Sequence, residues 1–169
     1  MGRDPTNEFV NSLISRMKIL MVCLGNICRS PLAEGILQDR ARKAGLHWTV
    51  ESAGTNGYHD GEPPHRLSQK VASMNGIDIS GQRSRRFVAM DFDRYDLIFA
   101  MAPDVIDEMR WIAGSRYDAG KVDLLLNIVK PGRNLPVPDP WYGPEPGFHE
   151  VFRTIDEACN ALIDHHLKG

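Results

Sequence analysis

Three cysteines are too few, and odd in number, to build a fully paired disulfide framework, so a reducing cytoplasmic setting is implied. No apolar run approaches the roughly 20 residues of a membrane span. Lys18 followed by Ile-Leu-Met-Val-Cys-Leu mimics a signal peptide faintly, but no small-residue cleavage site follows and Arg29 comes too soon. Charge of one sign is also lacking: the net value of −2 leaves no electrostatic footprint for nucleic acid or an anionic membrane. The nucleotide loop GxxxxGK[ST] is absent, and no GxGxxG follows a strand. Cys23 and Cys28 lack CxxC spacing and the histidines form no ligand motif, so no metal and no cofactor is expected. There are no internal repeats or low-complexity segments. A single intracellular domain, neither binding nucleic acid nor inserting in a membrane, is the expectation for 169 residues of ordinary globular composition.

What is present centres on CLGNICRS, Cys23 to Ser30, between the apolar run Ile19-Leu20-Met21-Val22 and a helix expected to open at Pro31. Strand, tight loop and helix follow in order, with Arg29 six positions after the cysteine. A helix N-terminus offers unpaired N–H groups and the positive end of a dipole, so the loop is a natural anion cradle. Arg29 adds a planar fork suited to a tetrahedral oxyanion, a role Lys does not fill. A thiol at the floor of such a cradle sits in a field that favours its thiolate, a nucleophile for phosphorus. Taken alone, a cysteine closing a buried strand is ordinarily a small core hydrophobe. The surrounding loop is what points to phosphoryl chemistry.

Residues 1–16 are mixed and polar. They are read as an N-terminal extension, disordered or a short helix, with Phe9, Val10, Leu13 and Ile14 at helical spacing. Ser30 is expected to cap the first helix, Leu32, Ile36 and Leu37 to give its apolar face, and Gly45 to stop it. Trp48, Val50 and Ser52 alternate as a second strand would, and SAGT with Asn56-Gly57 marks a turn. Pro63-Pro64 should open a helix bearing Leu67, Val71 and Met74, and Arg83 to Met90 a further short one. Its Arg83, Arg85 and Arg86 read as a solvated face, or alternatively as a steering patch for acidic substrates. Leu97 to Met101 and Val122 to Leu126 are further apolar runs, with Val105, Met109 and Ile112 on a helix between them. From about Phe148, the stripe Val151, Phe152, Ile155, Cys159, Leu162 and Ile163 marks the last helix, with Cys159 as inert packing and His165-His166 at its end. Buried runs alternating with helices predict an α/β fold: a single domain with a four-stranded parallel sheet flanked by helices on both faces, and a phosphate-binding loop after the first strand. Ligands in such sheets sit beyond the carboxyl ends of the strands.

The stretch PVPDPWYGPEPG, Pro136 to Gly147, is too rich in proline and glycine for regular structure and should emerge on the same side of the sheet. Asp139 there stands beside Trp141 and Tyr142. An Asp-Pro pair can simply start a turn. Beside Cys23 and Arg29, however, a carboxyl can supply the proton that a departing ester oxygen requires, and the aromatics can grip a planar leaving group.

MKILMVCLGNICRSP, SAGT, Gly76-Ile77-Asp78-Ile79-Ser80, FDRYDLIFAM and PDPWYG occur in the order and spacing of the low-molecular-weight protein tyrosine phosphatases, bacterial type, which the chain resembles from about Met17 to its C-terminus. The resemblance implies a phosphatase domain over 17–169 with Cys23 as nucleophile, Arg29 holding the phosphoryl oxygens, and Asp139 as general acid and then base. It implies that Asn26 holds a strained loop, with the left-handed backbone that Asn tolerates, that Ser30 donates to the thiolate, and that Ser52 supports the loop. Leu24, Gly25, Asn26, Ile27, Cys28, Ser30, Tyr58, Trp141 and Tyr142 would form the substrate pocket. Ala102 and Tyr58 depart from the aspartate and tryptophan of many relatives. The implied substrate is a phosphotyrosine protein or peptide, a bacterial tyrosine kinase among the candidates, with phosphate or another oxyanion in the loop. Arsenate reductases resemble the loop but need further cysteines, and phosphocysteine carriers need a persistent phosphocysteine, which Asp139 works against. Protein-arginine phosphatases tend to carry threonine at the position of Ile27. Cys28 is either a redox guard for Cys23 or filler behind the loop.

Overall fold

In the computed structural model, residues 4–6, 8, 10 and 15–168 are described. The expected amphipathic turn in the extension falls mostly outside them, since Phe9, Leu13 and Ile14 are not described. Four strands, β1 (Lys18–Cys23), β2 (Thr49–Gly54), β3 (Leu97–Ala100) and β4 (Val122–Leu124), form one parallel sheet in the order β2-β1-β3-β4. The helices are α1 (Arg29–Lys43), α2 (Arg66–Met74), the single turn α3 (Asp91–Arg94), α4 (Pro103–Ala113) and α5 (Glu145–Lys168).

The unbroken apolar run of β1 is explained by its central place. Successive side chains of a strand point to opposite faces, and here both faces are covered. Ile19, Met21 and Cys23 join α1, α2 and α5 in one core, while Leu20 and Val22 join Phe87, Phe92, Val105 and Met109 in the other. Full burial of a Leu or Ile stabilises the fold by about 1.5–3 kcal/mol, so a polar residue anywhere in Ile19–Val22 would be strongly destabilising. The stripe read for the last helix is buried as expected, Cys159 included. After β2 the chain crosses to the other side of β1 to lay down β3, so the strand order reverses beside β1. That reversal opens a crevice at the carboxyl end of β1, where the Cys23 loop lies.

Four local expectations are corrected. Arg83 to Met90 forms no helix: Arg86 bridges to Gly54, the Arg85 carbonyl accepts from the Gly54 N–H, and Ala89 and Met90 turn into the short helix α3. Arg85 is accordingly no solvated face residue, because its guanidinium pairs with buried Asp91 and bonds the Tyr95 hydroxyl. Ser30 does not cap α1, which begins a residue earlier with no side-chain cap at Cys28; the Ser30 hydroxyl turns instead to Cys23. Met74, the last residue of α2, is exposed although Val71 one turn before it is buried.

Candidate active site

β1 ends at Cys23, and the next six residues wrap into the first turn of α1. Asn26 adopts φ 56°, the left-handed backbone that its short polar side chain tolerates. The loop fits against the end of β2 because residue 54 is glycine: a Cβ there would lie 2.9 Å from the Leu24 carbonyl oxygen and 3.0 Å from the Asn26 backbone nitrogen. This is the physical content of the SAGT stretch.

The hydrogen bonds behind the loop have one consistent direction. The Arg85 backbone N–H donates to Asn26 Oδ1 at 3.1 Å, so the amide nitrogen of Asn26 must face the other way. It donates to Ser30 Oγ at 2.8 Å and to Ser52 Oγ at 2.9 Å. Ser30 Oγ lies 3.0 Å from Cys23 Sγ, a contact in which either atom can donate, and the Ser52 hydroxyl donates to Glu34 Oε1 at 2.8 Å. The Asn26 N–H donates to the sulfur at 3.3 Å. Burial pushes the Glu34 carboxyl up to about 7, against the hydrogen bond from Ser52 and with a further push from Glu51. Nothing in the local sequence sets this helix glutamate apart, since its partner Ser52 comes from β2.

In front of the loop lies a cleft of about 250 Å³ lined by Cys23, Leu24, Gly25, Ile27, Cys28, Arg29, Asn56, Tyr58, His59, Asp139, Trp141 and Tyr142. All but two of the expected site residues are on this wall. Asn26 and Ser30 are the exceptions, their side chains buried behind the loop. Asn56 and His59 are additions with no motif of their own; only their place beside Tyr58 could have flagged them. Arg29 is almost fully buried and donates to the Val137 carbonyl at 3.1 Å, and its other nitrogen is 3.7 Å from Asp139 Oδ2. The Val137 N–H in turn donates to the Met101 carbonyl at 2.7 Å, which ties the proline-rich loop to the end of β3. Asp139 Oδ1 accepts from the Trp141 N–H at 3.1 Å. Tyr58 and Tyr142 stand exposed at the rim. Cys28 is buried, and desolvation, followed by the nearby Cys23, pushes its thiol up to about 12. Ala102 packs into the core on the opposite face of the sheet, outside the cleft.

An oxyanion cradle at the reversal point of a parallel sheet, with a hydrogen-bonded cysteine at its floor, a buried arginine in its wall and a carboxylate nearer the solvent, is the arrangement of an α/β enzyme that handles phosphate esters. The family model for the low molecular weight phosphotyrosine protein phosphatases matches residues 18–168. The chain is 38% identical over 149 residues to the low molecular weight protein-tyrosine-phosphatase YfkJ of Bacillus subtilis, covering 87% of this chain and 94% of that one. The crystal structure of YfkJ superposes with a TM-score of 0.82 at 37% identity, over 90% of this chain and 96% of the other. Wzb of Vibrio vulnificus, solved in complex with benzylphosphonate, gives a TM-score of 0.78 at 30% identity over 88% and 98% of the two chains. The chain belongs to the low molecular weight phosphotyrosine protein phosphatase family. It is a protein-tyrosine phosphatase by family, and among the described residues no helix is long and apolar enough to cross a membrane.

Proposed function

We propose that this protein hydrolyses phosphotyrosine monoesters of proteins in two steps through a phosphocysteine on Cys23. The observation that carries the reading is the sulfur of Cys23 at the floor of the cleft, receiving a hydrogen bond from the Asn26 N–H and lying 3.0 Å from the Ser30 hydroxyl, with Arg29 and Asp139 in the same wall. The thiolate attacks phosphorus, and the bond from phosphorus to the phenol oxygen breaks. Its electron pair leaves with the oxygen, which takes a proton from Asp139. Asp139, now a carboxylate, takes a proton from water, whose oxygen attacks phosphorus; the phosphorus–sulfur bond breaks and the thiolate returns as phosphate leaves. Loop N–H groups and Arg29 stabilise the charge on the equatorial oxygens in both steps. Tyr58, Trp141 and Tyr142 supply the aromatic rim for a planar phenol. The benzylphosphonate bound by the Vibrio vulnificus relative, a phenyl ring joined through a methylene to a phosphonate, supports that reading of the cleft.

The family match starts at Lys18, which supports residues 17–169 as the phosphatase domain and 1–16 as an extension. Phosphorylated tyrosines of a bacterial tyrosine kinase fit the same chemistry, and the three free cysteines fit a reducing cytoplasm. The test is Cys23→Ser. Turnover should vanish while phosphate or vanadate binding remains measurable, because the cradle is mostly backbone and Arg29. Substantial residual hydrolysis would rule out covalent cysteine catalysis.

A further inference from the structure

The loop that carries Asp139 has no strand or helix of its own. Between the Val137 tie to β3 and the start of α5, it is held by an internal turn, the two contacts of Asp139 and the ring of Trp141. Trp141 is tied to the acid through its backbone: its main-chain N–H donates to Asp139 Oδ1 at 3.1 Å, so the segment that the indole anchors is the one that holds the carboxyl.

The indole leans on histidines. His59 meets it at 5.4 Å between ring centroids, from a part-exposed position paired with Glu62. His65 meets it edge-on at the same distance and 76°, and is much better anchored. Its ring stacks at 4.9 Å and 26° on Phe148, a fully buried residue of α5. Its Nδ1 accepts from the Leu67 N–H at 3.0 Å, capping α2 and leaving the ring proton on Nε2. Its backbone N–H donates to the Ile27 carbonyl of the phosphate loop at 2.7 Å. One residue thus touches both halves of the site, by its backbone on the nucleophile's loop and by its ring on the acid's loop.

We propose that His65 is a positioning residue for phosphate-ester cleavage, registering the Asp139 loop against the Cys23 loop through the ring of Trp141. The inference rests on the phosphotyrosine-hydrolase reading above. Burial, then the neighbouring Arg66, holds the imidazole below its ordinary range, so it is a neutral aromatic brace at neutral pH with Nδ1 free to cap. No proton moves through it.

The role is distinguishable from plain structural support, because an effect that passes through a general acid depends on the leaving group. Two substitutions split the functions of the side chain. His65→Asn keeps a good helix cap without the ring; His65→Phe keeps a ring without the cap. kcat/KM is measured for a phosphotyrosine peptide, whose phenol leaves poorly, and for an aryl phosphate with an activated leaving group. His65→Asn should lose about 3- to 10-fold more on the peptide than on the activated ester, the scale of one aromatic contact. His65→Phe should keep the wild-type ratio of the two substrates even where its melting temperature falls. In an Asp139→Asn background, His65→Asn should add no further difference between substrates. Equal losses on both substrates for His65→Asn, a changed ratio for His65→Phe, or an additive effect with Asp139→Asn each overturn the proposal. Should Asp139→Asn itself show no leaving-group dependence, the general-acid assignment fails first and the inference falls with it, whereas a leaving-group-dependent Asp139→Asn beside an indifferent His65→Asn removes the inference alone.

Discussion

Glu34→Gln isolates the part-buried carboxyl at the far end of the Cys23–Ser30–Asn26–Ser52 chain. Glutamine keeps an acceptor for the Ser52 hydroxyl and nearly the same volume, but it does not ionise. In the folded protein the carboxyl is held at about 7 against an ordinary value of 4.5, chiefly by burial. At about 1.36 kcal/mol per unit, this corresponds to roughly 3 kcal/mol as an upper figure; with Arg85 nearby and the side chain only partly shielded from water, about 1–3 kcal/mol is the working range. The sign follows from proton counting. Between pH 4.5 and 7 the folded state keeps a proton on Glu34 that the unfolded chain releases, so the contribution is favourable below 4.5 and is lost as pH rises to about 7. Carboxylates shifted the other way, such as Asp39 with its Lys43 and Arg40 partners, act at lower pH and cancel in a comparison of the two proteins. Urea unfolding at pH 4.5, 5.5, 6.5 and 7.5 should show the variant gaining on wild type by about 1–3 kcal/mol across that window and holding the gain above it. Curves that stay parallel over the whole range would refute the reasoning, since Glu34 would then titrate alike folded and unfolded.

Gly54→Ala should lower stability by about 1–3 kcal/mol, the usual cost of overpacking, and should also weaken inorganic phosphate binding, because the added methyl meets backbone of the phosphate loop; unchanged phosphate affinity by calorimetry would show that the loop does not depend on that close approach. Cys28 lines the same cleft as Cys23, which places its thiol to meet a sulfenic acid formed there. Peroxide-inactivated wild type should recover most activity on thiol reduction while Cys28→Ala, active at first, should not. Equal recovery would make Cys28 filler.

The strand, the cradle and the helix after it were legible in sequence because they are contiguous: Ile19 to Leu37 carries its own pattern, glycine and arginine included. The parallel sheet followed from buried runs alternating with helical stripes, and the left-handed Asn26 from what the family resemblance implies. What escaped was decided by contacts between distant segments. Arg83 to Met90 has the composition of a short helix, yet the edge of β2 offers it a bridge and Asp91 offers Arg85 a buried partner, and these long-range bonds outweigh a weak local preference. Ser30 has the look of a helix cap, but a sulfur lies 3.0 Å from its hydroxyl and Asn26 occupies its acceptor side. Glu34 and His65 carry no motif, because an ordinary helix glutamate and a histidine after two prolines gain meaning only when Ser52 and Trp141 are folded against them. Sequence alone determines which groups can attack, bind and protonate, since those roles are properties of side-chain type and local spacing. The direction of each hydrogen bond and the distance from acid to nucleophile belong to the tertiary structure, since they depend on donors and rings brought from separate segments into a place where water cannot substitute for them.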